Sequence, residues 1–148
     1  MDPLSTDLQS CYRKLNRYKY QLTEDFHIEI EVRPTMPIGT PYLSLSEAGQ
    51  LIIKKGYAWD GPSGPTIDTS TFMRSSLVHD ALYQLMRLAL VDHADSREYA
   101  DRLLRRMSIQ DGMCRFRAWY VYTALRWFGR KNALPAEDEP PKIYCTPF

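Results

Sequence analysis

His79, Asp80 and Tyr83 stand within five residues of one another in the stretch Arg74-Ser75-Ser76-Leu77-Val78-His79-Asp80-Ala81-Leu82-Tyr83, and Asp101 follows 22 positions after the histidine. Imidazole changes charge near neutral pH. A carboxylate held against one ring nitrogen fixes the tautomer and stabilises the imidazolium formed when the other nitrogen takes a proton. That is the general-base half of a hydrolytic site. On a helix His79 and Tyr83, four residues apart, share a face, while Asp80 is turned by about 100 degrees and serves an adjacent region. Asp101 falls near the start of the next expected helix, and two antiparallel helices joined by a short link would bring it to His79. The plainer reading makes His79 a hydrogen-bonded core histidine, Asp80 a surface acid, and Asp101 an acid of the kind favoured near a helix N-terminus.

A second group precedes these residues. Trp59-Asp60-Gly61-Pro62-Ser63-Gly64-Pro65-Thr66-Ile67-Asp68 is too rich in glycine and proline for a helix or a central strand. Gly61 and Gly64 allow backbone carbonyls to turn inward, and Asp60 and Asp80 add carboxylates. Carbonyls with one or two carboxylates suit calcium, which can polarise a carbonyl or phosphoryl oxygen. An ordinary tight turn between sheet and helix is the competing reading.

The elements expected to position these groups divide at that loop. Before it, Tyr18–Leu22 alternates, and Phe26, Ile28, Ile30 and Val32 alternate with His27, Glu29 and Glu31. Period two with one polar face marks a half-buried strand. Glu24-Asp25 reads as a turn, and Pro34 to Pro41 as a break. Residues 42–45 and 51–57 read as a hairpin through Ser46–Gln50, giving one antiparallel sheet of three to four strands. After the loop, a helix is expected over 69–90, with Phe72, Val78, Leu82, Leu85 and Ala89 as its apolar stripe. A second opens on a capping box at Asp95-Ser96-Arg97-Glu98, carries Ala100, Leu103, Leu104 and Met107, and ends at Asp111-Gly112. A third runs near Cys114–Phe128 and stops at Gly129. Its Phe116, Trp119, Tyr120, Trp127 and Phe128 read as core. Interleaved with Arg115, Arg117 and Arg126, they also suit a membrane interface or a partner surface. The expectation is one α+β domain over 1–131, with the sheet at 18–57, the helices at 69–129, and an extended arm at 132–148 holding prolines and Glu137-Asp138-Glu139.

Composition narrows the function classes. The chain has 148 residues, 44% hydrophobic and 25% charged, which is globular rather than disordered. Nineteen basic and 18 acidic residues leave a net charge of +1, so no general attraction to nucleic acid is expected. Arg102, Arg105 and Arg106 read as a solvated helix face. Three cysteines, Cys11, Cys114 and Cys145, form no Cys-x-x-Cys spacing. A disulfide framework and a cysteine-based zinc site are therefore not expected, and folding in a reducing compartment is the simpler reading. The N-terminus lacks the blocks of a signal peptide, and no apolar run approaches the ~18 residues that span a bilayer.

The stretch Gly56-Tyr57-Ala58-Trp59-Asp60-Gly61-Pro62-Ser63-Gly64, then His79-Asp80-Ala81-Leu82-Tyr83, then Tyr99-Ala100-Asp101-Arg102 resembles the calcium-dependent secretory phospholipases. It is most similar to their compact form in the parvoviral minor capsid protein. The likeness covers about Gly56 to Met107. It implies that His79 is the base that activates water, that Asp101 orients it, and that Tyr83 braces Asp101. It further implies that Asp80 is the calcium carboxylate, joined by carbonyls near Trp59, Gly61 and Ser63 or Gly64. The chain departs from that family in having too few cysteines for its disulfides, in the preceding sheet, and in the extra acid Asp60. The whole chain also resembles a family of phage and prophage proteins of unknown function, through Trp59–Pro65, Arg74–Tyr83 and Ala100-Asp101. That implies a viral setting, in the virion or the host cytoplasm.

Other hydrolytic sites fit less well. A His-Asp metal phosphohydrolase needs further histidines, and only His27 and His93 remain. No Gly-x-Ser-x-Gly elbow occurs, and Ser75 and Ser76 read as helix residues. Two functions follow as expectations. One is a calcium-dependent hydrolase of host-envelope lipid. The other is a structural or accessory virion protein whose partners are other phage proteins or further copies of itself.

Overall fold

The computed structural model describes residues 12–13, 20–59 and 70–130. The fold is α+β: antiparallel strands come first and three helices follow. The chain forms two compact units, divided between Asp60 and Gly61.

Among the described residues the first unit holds seven short strands: β1 (Tyr12–Arg13), β2 (Tyr20–Leu22), β3 (Phe26–Glu29), β4 (Ile38–Gly39), β5 (Leu43–Leu45), β6 (Gln50–Ile53) and β7 (Ala58–Trp59). They form two antiparallel sheets, β1-β2-β7 and β3-β6-β5-β4, where one was expected. The chain bends at Thr23-Glu24, beside the expected turn, but β2 and β3 do not pair with each other. Each strand pairs with a later one, and the Asp25 carboxylate instead accepts the Lys55 amide at 2.7 Å. The alternation expected over Phe26–Val32 holds as far as Glu31, with Phe26, Ile28 and Ile30 buried and His27, Glu29 and Glu31 exposed, but the strand itself ends at Glu29 and Val32 is only half-buried. Register places Phe26 beside Ile53, which lies beside Leu43, and Ile28 beside Leu51, which lies beside Leu45. Two cross-strand rows of buried aliphatic and aromatic side chains result, and such rows stabilise a sheet.

The second unit is a three-helix bundle of α1 (Ser70–Arg87), α2 (His93–Gln110) and α3 (Arg115–Phe128). Thirteen of the 18 residues of α1 are buried, so it is central rather than amphipathic. It ends earlier than the expected Leu90. Ala89 turns to φ 56 and is exposed with Leu90. The start of α2 also differs from expectation. Asp92, not Asp95 or Ser96, is its N-cap, accepting the amides of Ala94 at 2.7 Å and Asp95 at 3.3 Å. Glu98 pairs with Arg102 on the helix surface instead of closing a capping box. At the other end Asp111 and Gly112 stop α2 as expected, with Gly112 at φ 105, a conformation that costs glycine little.

The contacts fix the helix directions. Tyr83 and His79 meet Asp101, Ser75 meets Ser108 at 2.8 Å, and Arg74 meets Asp111, so α1 and α2 run antiparallel. Ser75 and Ser76 are helix residues, as expected, each hydroxyl bonding the carbonyl three residues earlier. Phe72, Leu104, Met113, Ala118 and Val121 form one apolar cluster, with Ile109 and Leu125 against it.

Candidate active site

His79 lies in the middle of α1 and Asp101 in the first half of α2, and the antiparallel packing sets them side by side. His79 Nε2 is 2.7 Å from Asp101 Oδ1. The Tyr83 hydroxyl donates to the same oxygen at 2.6 Å. The four-residue spacing also stacks the Tyr83 ring on the imidazole, with centroids 4.1 Å apart. Asp101 is 0% exposed, so each of its oxygens needs a partner.

The second oxygen finds one that the sequence did not announce. Arg126, near the end of α3, donates from Nη1 to Asp101 Oδ2 at 3.1 Å. Another arginine fixes that end of α3. Arg97 Nη2 donates to the carbonyls of Leu125 at 2.6 Å and Arg126 at 2.9 Å near the helix end, and the Leu125 carbonyl also accepts the Gly129 amide at 2.8 Å. Gly129 completes the fit. A Cβ there would stand 3.1 Å from the Tyr83 hydroxyl and 2.6 Å from the Leu125 carbonyl oxygen. Glycine stops α3 where expected, but at φ −82, so its use is close approach and not a left-handed turn.

The electrostatics follow from this geometry. For His79 burial is the largest influence and opposes the imidazolium. Asp101, by hydrogen bond and charge, and Asp80 together outweigh it, so the ring titrates above the ordinary 6.5. For Asp101 burial would raise the carboxyl, but His79 first, then Tyr83 and Arg126, hold it below the ordinary 3.8. Burial, then the hydrogen bond to Asp101 and its charge, push the Tyr83 phenol well above 10, so it remains a donor. With Nε2 committed to an ionised carboxylate, Nδ1 is the ring atom left to accept a proton. Asp80 Oδ1 is 4.0 Å from Nδ1, beyond a hydrogen bond, and the Asp80 side chain is 38% exposed against 7% for His79. The partly exposed Asp80 thus stands nearest the Nδ1 side of the ring.

Among the residues expected to form the site, His79, Asp101 and Tyr83 come together, with Asp80 beside them. Trp59 ends β7 in the first unit, paired with Tyr20. Asp60, Gly61, Ser63 and Gly64 lie outside the described residues. Among the described residues no group of three or more His, Cys, Asp or Glu side chains is placed to hold a metal ion. Asp80 alone fits one anionic ligand of a hard cation whose other ligands are carbonyls. Nothing in local spacing marks Arg126 or Arg97. The one available signal was that α3 brings basic residues to an otherwise apolar helix.

No curated protein and no solved structure matches the chain. One family does, over residues 39–125, a span that holds His79, Tyr83 and Asp101 and stops one residue before Arg126. That span is more than half of the 148 residues, and the chain belongs to the family described as Protein of unknown function (DUF1353).

Proposed function

We propose that this protein hydrolyses carboxylic esters of lipid in a calcium-dependent reaction. The observation that carries the reading is the 2.7 Å contact between His79 Nε2 and the buried Asp101, which leaves Nδ1 as the base. Water held at Nδ1 attacks the ester carbonyl and gives its proton to that nitrogen. Asp101 stabilises the imidazolium and does not itself take the proton. The tetrahedral intermediate then collapses, the carbon–oxygen bond to the alcohol breaks, and Nδ1–H returns the proton to the leaving oxygen. Tyr83 and Arg126 hold Asp101 ionised and oriented. Asp80 would anchor calcium, whose charge stabilises the developing oxyanion. The phage setting and host-envelope lipid as substrate rest on the sequence resemblance.

The test is fatty-acid release from mixed phospholipid vesicles with calcium. The wild type should release fatty acid, and His79→Ala should be at least about a hundredfold slower. No release by the wild type at any calcium concentration contradicts the proposal. Calcium should also raise the melting temperature, since a ligand of the native state stabilises it, and Asp80→Ala should abolish that rise.

A second reading has its own support. Asp101 joins α1, α2 and α3 through three side-chain donors, which is enough to staple a bundle without turnover. On that reading the chain is a structural or accessory component of a phage particle, bound to other phage proteins or to copies of itself.

A further inference from the structure

α3 has two apolar faces. One, Ala118, Val121 and Leu125, packs on the bundle core. The other carries Phe116, Trp119, Tyr120 and Trp127, spaced three, four and eleven residues from the first, and all are exposed, Trp127 at 77%. The Phe116 and Trp119 rings rest against each other, 6.1 Å between centroids. Phe128, at the helix end, is also exposed, at 73%. Isolated exposed aromatics are ordinary, but a contiguous stripe along one helix marks a contact surface.

Charge identifies the partner. The stretch from Arg115 to Arg130 contains Arg115, Arg117, Arg126 and Arg130 and no acidic residue. Arg115 and Arg130 are exposed at the two ends of the stripe. A second copy docked through the same face would set arginine against arginine with no acid on either helix to pair them. An anionic lipid surface meets both features. Phosphate headgroups pair with the exposed Arg115 and Arg130, and Trp, Tyr and Phe settle at the boundary between headgroups and acyl chains. No helix among the described residues is long and apolar enough to cross a membrane, so the contact lies in the plane of the surface.

We infer that the Phe116–Trp127 face of α3 docks this protein on anionic phospholipid surfaces. The inference stands on the exposed face and does not require His79 to turn over substrate. It does carry a consequence for the site. The helix that meets lipid also delivers Arg126 to Asp101, so the docking surface and the site share one rigid element.

The test uses the full chain, with a chelator present so that binding is read without calcium-dependent hydrolysis. Vesicles of phosphatidylcholine alone are compared with vesicles that also contain phosphatidylglycerol, by co-sedimentation and by tryptophan emission. Of three tryptophans, Trp59 is buried, so a blue shift on binding reports Trp119 and Trp127. The wild type should sediment with the anionic vesicles, shift to the blue, and bind more weakly as salt rises. Phe116→Ser combined with Trp127→Ser should weaken binding about tenfold or more, and Arg115→Glu with Arg130→Glu should do the same. Both pairs are exposed, so melting temperatures should match the wild type. The inference is overturned by wild type that stays in solution with anionic vesicles, or by variants that bind as the wild type does. It is equally overturned by a wild-type dimer that these substitutions dissociate, which would make a second copy the occupant.

Discussion

Asp101 is the residue on which the most depends, because a fully buried carboxylate accepts hydrogen bonds from His79, Tyr83 and Arg126. Replacing Asp101 with Ala leaves the buried His79 and Tyr83 donors and the half-buried Arg126 without their partner and should cost about 3–5 kcal/mol, read from urea unfolding. Arg126→Met removes one charged hydrogen bond and should cost about 2 kcal/mol by the same measurement. The two titrations act in opposite senses. His79 titrates higher in the folded chain, so its contribution is full below 6.5 and is lost as pH rises through the raised value. Asp101 titrates lower when folded, so its contribution is full above 3.8 and is lost as pH falls through the lowered value. The difference in melting temperature between wild type and the Asp101→Ala variant should therefore be largest between 3.8 and 6.5 and shrink on both sides. If His79 is the base, the acid limb of the rate profile should lie above 6.5, since the ring must be neutral to accept a proton. The His79–Asp101–Tyr83 group was legible because helical spacing and a short interhelical link are local properties. Arg126 was not, because it lies 25 residues from Asp101 and an arginine on a helix looks the same whether it is solvated or paired.

At the scale of elements, helix ends decide how accurately the side chains meet. Asp92→Ala removes the cap of α2 and should cost about 1 kcal/mol, measured by thermal unfolding. Gly129→Ala should lower stability and loosen the Tyr83 contact, which a change in Tyr83 hydroxyl exchange would report, because the added methyl group meets Leu125 and Tyr83. The expected capping box at Asp95–Glu98 failed because Asp92 offered an acid one turn earlier, where its carboxylate already reaches two amides. The third helix shows a limit of judging core by residue type. Its aromatics looked interior, but Ala118 and Val121 face the bundle. Small side chains there let α3 approach closely enough for Arg126 to reach Asp101. The three- and four-residue spacing of Ala118, Val121 and Leu125 was the available sign of the packed face.

Over the whole molecule, the division into a strand-bearing part and a helical part was plain from where periodicity changes, because periods of two and of 3.6 are visible in any short window. The pairing of strands was not. β2 finds β7 and β3 finds β6, choices made by contacts between distant segments, and the alternation within a strand is the same whichever partner it takes. The proposed chemistry rests on one ring, that of His79. The most direct test is nitrogen NMR of the His79 imidazole, resolved from His27 and His93 by substitution, followed across neutral pH. The neutral ring should carry its proton on Nε2, hydrogen-bonded to Asp101, with Nδ1 bare. A neutral ring protonated at Nδ1 would contradict the assignment of that nitrogen as the base.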